Sequence, residues 1–193
     1  MREKQLTVGD FTEKFLENPE SSSTVEMDAE DMSQNWRRCG ISSDFIARYY
    51  SYFFPYREKS RERISRDTAE NSISFVMNEL IENTAKYSDA VDKSVQVDVA
   101  LFEDLLVFQV SNQVLEETAQ SFISMSQELM SGDPEELYVK KLEENVELES
   151  SGSGLGFLTL MNDYGVRLGF RFKKNGDSAY CITVQAKLPC REE

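Results

Sequence analysis

Residues 70–89 read ENSISFVMNELIENTAKYSD, and the periodicity of this stretch organises the rest of the chain. At about 100° per residue, Ile73, Val76, Met77, Leu80, Ile81, Thr84 and Tyr87 fall on one face of a helix. Asn83 lies at one edge of that face, Glu79 lies just beyond it, and Glu82 points the opposite way. Glu79 and Asn83 are four residues apart, so they stack on successive turns. A carboxylate above a carboxamide at that edge sits where a packed core meets a cleft. The helical pattern reaches back to about Lys59. There Arg57, Lys59, Arg61, Arg63 and Arg66 are interleaved with acids, as on a solvated face.

Downstream, Val95, Val97 and Val99 alternate with polar residues, as do Leu106, Phe108 and Val110. Glu103 and Asp104 lie at the turn, which predicts a hairpin over 95–101 and 105–111. Residues 114–150 are acidic, with helical periodicity over Phe122–Met130 and Glu135–Val146. Gly132-Asp133-Pro134 separates the two pieces, and Asp133 is placed to cap the second. The segment SSGSGLG, 150–156, then leads into a short helix over Phe157–Asp163, stopped near Gly165. A second hairpin closes the chain. Val166, Leu168, Phe170 and Phe172 alternate, as do Tyr180, Ile182, Val184, Ala186 and Leu188, around an Asn175-Gly176 two-residue turn.

Upstream, residues 18–34 hold loop with a short edge strand over Ser23–Met27. Helices are expected over Ala29–Arg38 and Ser43–Phe54, separated at Gly40, with Ser42 or Ser43 capping the second and Pro55 closing it. Phe45, Tyr49, Tyr50 and Phe53 recur at helical spacing and read as core. The element order predicts an α/β (α+β) two-layer sandwich: a mixed, mostly antiparallel sheet covered by helices on one face. Residues 1–57 form an N-terminal extension and 58–193 the main domain, with an insert at about 114–151, packed as one unit.

Composition narrows the function. The 193 residues carry 35 acids against 21 lysines and arginines, a net charge of −14. Such a surface repels phosphate backbones and anionic lipid heads, so neither nucleic acid nor membrane is expected as a partner. No apolar run approaches the ~20 residues of a membrane helix, and the first residues lack an apolar signal core. The chain is expected in the cytoplasm. Cys39, Cys181 and Cys190 are widely spaced, which suggests buried thiols rather than a zinc site. There is no histidine, which removes His-based acid–base catalysis and a phosphohistidine on this chain.

Gly152, Gly154 and Gly156 lie just before a helix, where glycine lets backbone N–H groups approach a phosphate closely. No GK[ST] follows, so this is not a Walker loop. It follows a helical insert rather than a strand, so it is not a Rossmann fingerprint.

In combination these two segments carry a resemblance. NELIENTAKYS resembles the N-box of the GHKL (histidine-kinase-like ATPase) superfamily, and SGSGLGF resembles its glycine box. Order and intervening hairpin and insert are also similar, over roughly residues 70–190. The resemblance implies a Bergerat-type nucleotide fold, here with extra N-terminal helices. It implies that Asn83 holds the magnesium ion of Mg-ATP or ADP, that Glu79 acts as general base, and that Gly152, Ser153, Gly154, Leu155 and Gly156 form the phosphate loop. Residues 114–150 would be the lid. One feature departs from the family. The expected Asp-x-Gly adenine motif is replaced by Ser111, Asn112 and Gln113. Either Ser111 or Asn112 reads the base through a weaker bond, or the base is held differently. Loss of a charge-assisted bond costs roughly 1.5–3 kcal/mol.

Among single-domain members, the chain resembles the bacterial anti-sigma-factor serine kinases and the SiaB-like kinases. That implies a serine/threonine kinase of a small antagonist protein in a partner-switching system, with a homodimer as a further expectation. A second reading is a non-catalytic light or redox sensor holding FAD, which the altered base motif and the aromatic supply would suit. A third is an acidic, ligand-free interaction protein.

Overall fold

Alternation along four strands builds the centre of the molecule. In the computed structural model, residues 5–34, 36–54, 65–87, 94–148, 154–176 and 178–190 are described. The hairpins form as expected: β3 (Ser94–Leu101) with β4 (Leu105–Leu115), and β5 (Arg167–Asn175) with β6 (Ala179–Pro189). β4 and β6 pair along 105–115 and 179–189 and join the hairpins into one sheet. The edge strand is longer than the sequence suggests, β2 (Ser21–Asp28), and pairs with β3. At the opposite edge lies β1 (Gln5–Gly9), paired with β5. The order is β1-β5-β6-β4-β3-β2. All five pairings are antiparallel, so the sheet is not mixed. Strands from both ends of the chain thus share it. The β5–β6 connection spans 176–178 rather than two residues, with Gly176 at φ 73°.

Six helices are described: α1 (Ala29–Gln34), α2 (Trp36–Ser51), α3 (Arg66–Tyr87), α4 (Glu116–Leu129), α5 (Pro134–Leu148) and α6 (Leu155–Tyr164). The expected break at Gly40 does not occur, because α2 runs through it. Cys39, Ile46, Ala47 and Tyr50 bury one face of α2, and α2 packs along α3. Burial of ~1.5–3 kcal/mol per large side chain outweighs the ~1 kcal/mol that glycine costs a helix. Ser43 is therefore no cap: it is buried, and its hydroxyl donates to the Cys39 carbonyl at 3.1 Å. Ser65 takes the capping role for α3, accepting from Thr68 N at 3.1 Å. Asp133 caps α5 as expected, accepting from Glu135 N at 3.0 Å and Glu136 N at 3.2 Å. The expected helical residues 59–64, and Pro55, lie outside the described residues.

The core lies between the sheet and the helices. Val95, Val97, Val99, Phe108, Val110, Leu168, Phe170, Ile182 and Ala186 face Ile73, Met77, Leu80 and Ile81 of α3 and Phe157 of α6. The other side of the sheet is polar. Asp98, Thr183, Gln185 and Lys187 are buried there. The chain after β1 crosses this side: Gly169 is bare where the backbone of Asp10 and Phe11 presses on it. Lys187 Nζ donates to Asp10 Oδ1 at 2.6 Å, and Gln185 Nε2 donates to the Thr12 carbonyl at 2.8 Å.

Candidate functional site

The cleft forms where α3 meets α6. α6 starts at Gly154, buried and at φ 96°, a conformation that L side chains avoid. Its carbonyl accepts the first helical bond, from Leu158 N at 3.1 Å, and no side chain caps the helix. Two residues on, Gly156 lies directly against the Glu79 carboxylate, and a methyl group at Gly156 would collide with it. The 76 residues between them in sequence are therefore closed into one contact. Burial pushes the Glu79 carboxyl above its usual value near 4.5, and the charge of Glu82 adds to the shift. Tyr164 at the end of α6 stacks on Phe75 of α3, centroids 4.9 Å apart. Its hydroxyl is also shifted up, by burial first and then by Asp163 and Glu79.

Asn83 follows one turn below Glu79. Its Nδ2 donates to the Glu79 carbonyl at 2.8 Å, so the carboxamide oxygen is the atom it can offer to the cleft. Thr84 is turned back in the same way, its hydroxyl donating to the Leu80 carbonyl at 2.8 Å. Among the described residues no group of three or more Cys, Asp or Glu side chains could hold a metal. A magnesium ion at Asn83 would depend on phosphate and water oxygens to complete its shell.

Asn83, Thr84 and Asn112 surround a cavity of about 10 Å³, walled by Leu80, Phe122, Phe157, Ile182 and Val184. That is room for about one water molecule. Phe122, from α4 in the insert, is what fills the space. It is 4% exposed, and its ring lies 6.2 Å from Phe157, 6.0 Å from Phe170 and 6.1 Å from Phe172. The insert also reaches the glycine segment: Met125 and Leu129 of α4 border Gly154. Sequence periodicity marks Phe122 as apolar on a helix but says nothing about its place in the cleft.

Strand alternation separates the two residues proposed to read a base. Val110 and Asn112 point to the helices, and Ser111 points to the polar side. Asn112 is buried and lines the cavity. Ser111 Oγ instead donates to Thr183 Oγ1 at 3.1 Å on the far surface. The structure thus sets Glu79 against Gly156 and Asn83 with Asn112 around one cavity, with Gly154 and Leu155 at the start of the same helix as Gly156, and leaves Ser111 out. Gly152 and Ser153 lie outside the described residues.

No protein-family model matches the chain, and no curated protein sequence matches it. A chain in the crystal structure of the SiaB-SiaC complex from Pseudomonas aeruginosa is similar in fold, with a TM-score of 0.58 at 16% sequence identity. The likeness covers 84% of this chain and 99% of that one.

Proposed function

We propose that the chain is a regulatory protein that holds a nucleotide at the Glu79–Asn83–Gly156 end of this cleft and acts on a small partner protein. The contact between the Glu79 carboxylate and the bare Cα of Gly156 carries this reading. It joins a carboxylate, an amide oxygen and an uncapped helix N-terminus, the set that a magnesium–phosphate group and its attacking hydroxyl require. The similar solved chain belongs to a two-protein complex, which supports a protein partner. The reaction proposed is transfer of the γ-phosphoryl group of Mg-ATP to a serine or threonine hydroxyl of that partner. Glu79 takes the hydroxyl proton, the hydroxyl oxygen bonds to phosphorus, and ADP leaves. A carboxyl shifted upward by burial suits a base working near neutral pH.

The phosphate end fits this group, and the base end does not fit it as packed. A purine asks for far more than about 10 Å³, so Phe122 and α4 must move aside for it. The same filled cavity favours a second reading, an interaction protein that binds no nucleotide. FAD requires still more room.

Calorimetric titration with Mg-ATP, Mg-ADP and FAD separates these readings. Mg-ATP is expected to bind, Asn83→Ala to lose the magnesium dependence, and Glu79→Gln to bind ATP without transferring phosphate. Heat from FAD alone would identify a flavin protein, and silence with all three ligands leaves the interaction protein.

A further inference from the structure

We propose that the outer edge of β2 is a docking site for an extended segment of a partner protein, one that alternates large aliphatic with basic side chains; this rests on the partner-protein reading above and names the surface. β2 ends the sheet, and its inner edge pairs with β3 over 21–28, one residue to one, without a bulge. Among the described residues no strand pairs with the outer edge of residues 21–27. The backbone N–H and C=O groups turned outward there are the complement of a further strand. Such edges are commonly blunted by shortness, proline, lysine or a bulge. β1, at the other end of the sheet, has five residues. β2 has eight, with no proline and no lysine.

A notch lies on this edge. Val25, Glu26, Met27 and Asp28 border a cavity of about 240 Å³. Val25 and Met27 pack toward the helices, and Glu26 and Asp28 alternate to the other side. A cavity touched by four successive strand residues therefore runs along the backbone edge itself, where an added strand would lie. Its floor on the helix side is Met32 of α1 with Cys39 and Ser42 of α2. Met32 and Cys39 are 3% and 2% exposed, so that floor is packed before anything binds. The Cys39 thiol donates to the Met32 carbonyl at 3.8 Å, and the surface left for an arriving group is mostly carbon and sulfur. Pockets for drug-sized molecules begin near roughly 300 Å³. This notch is smaller and suits one or two aliphatic side chains of a strand.

Charge and register select the occupant. On the side of β2 away from the helices Ser22, Thr24, Glu26 and Asp28 are all exposed. Their neighbours across β3 on that side, Ala100, Asp98, Gln96 and Ser94, add no cation. An added strand therefore meets acids there and gains from basic side chains at alternate positions. A second copy of β2 fits poorly. Two copies pair antiparallel about a two-fold axis normal to the sheet, which sets helix-side residues against helix-side residues. Registers centred on Thr24 or Val25 offer only Ser21, Ser23 or Val25 to the notch. Registers that bring Met27 to it set Glu26 against Glu26 or Asp28 of the copy, and like charges directly opposite destabilise a strand pair.

The test uses fluorescence anisotropy of a labelled peptide of about ten residues, alternating leucine and lysine, titrated with the full chain. One counterpart carries serine at every leucine, a second glutamate at every lysine, and a third a methyl group on every backbone nitrogen. The leucine–lysine peptide is expected to bind at least about tenfold tighter than any of the three. Ser42→Phe, which fills the notch from a half-buried position, should weaken it about tenfold. Glu26→Lys, on the exposed side, should weaken it about threefold and strengthen the glutamate counterpart by as much. Hydrogen exchange reads the edge on the unaltered chain: amides within 22–27 should gain protection when the peptide is added. Equal binding of the methylated or the serine peptide, or protection that appears elsewhere and not in β2, overturns the proposal. So does protection of β2 that rises with protein concentration alone, which would make the edge a self-interface. Mg-ATP titrated in parallel separates the two readings. Peptide failure with intact ATP binding removes only the surface, and peptide binding without ATP binding removes only the nucleotide.

Discussion

Asp98 and Glu79 are carboxylates on opposite sides of the same sheet, and their surroundings differ completely. Asp98, on the polar side, is 1% exposed and accepts from Thr24 Oγ1 at 2.7 Å, Gln96 Nε2 at 2.8 Å and Gln109 Nε2 at 3.4 Å. Glu79, at the cleft, is half-buried and accepts no hydrogen bond from the described residues, and its nearest charged influence is another acid, Glu82. The first arrangement is what a fold needs to bury a charge. The second leaves a half-buried carboxylate with no donor among the described residues, and its burial there is uncompensated. Such a group is a candidate for chemistry rather than for structure. One strand reproduces the contrast: Ser111 is tied to Thr183 on the polar side, while its neighbour Asn112 lines the small cavity.

Phe122→Ala is expected to have the largest effect on this contrast. Removing a buried aromatic ring costs about 3–5 kcal/mol, to be measured by urea unfolding. Ser111→Ala on the polar side, half-buried with one hydrogen bond at 3.1 Å, should cost about 1 kcal/mol. If Phe122 stands where a base would lie, the same variant takes up Mg-ATP more tightly than wild type. Equal stability losses in the two variants would show that α4 is not packed into the cleft. A smaller loss, about 1–3 kcal/mol, is expected from Asp98→Ala, which strands the donors of Thr24, Gln96 and Gln109. Gly156→Ala should cost a similar ~1–3 kcal/mol by overpacking. Its cost should largely vanish in a Glu79→Ala background, because the Glu79 carboxylate is the group a methyl would strike. Additive losses in that double-mutant cycle would place the two residues apart.

What could be read from the sequence followed from periodicity, and what could not depended on partners. The face of α3 is nearly complete from Ile73 to Thr84, so its period stated both the helix and the edge where Glu79 and Asn83 lie. The two hairpins were legible for the same reason. β1 was not: QLTVG is short and mostly exposed, and it is a strand because β5 pairs with it. Gly40 reads as a break because glycine is locally poor in helices, and the packing of α2 on α3 overrides it. Alternation from Leu106 through Phe108 and Val110 already places Asn112 inside and Ser111 outside, a signal the sequence holds and a motif-centred reading passes over. The filling of this cavity by Phe122 has no local signal, since the residues around it come from α3, β4, α6 and β6.

The smallest expected effect tests the contrast most directly, because it depends on Glu79 alone. Its folded carboxyl titrates above the usual value near 4.5, with burial as the main cause. Below that value the group is protonated whether the chain is folded or not, and it adds no penalty. As pH rises past 4.5 the unfolded chain loses the proton first while the folded chain still holds it. Stability therefore falls until pH passes the raised folded value, and then levels off. Glu79→Gln keeps the shape and removes the titration, so its melting temperature should gain on wild type as pH rises past the usual value near 4.5 and stay parallel below it. A Glu79→Gln curve parallel to wild type from pH 4 to 8 would mean that the cleft leaves this carboxylate as well solvated as one in water, and the case for Glu79 as a base would lose its physical ground.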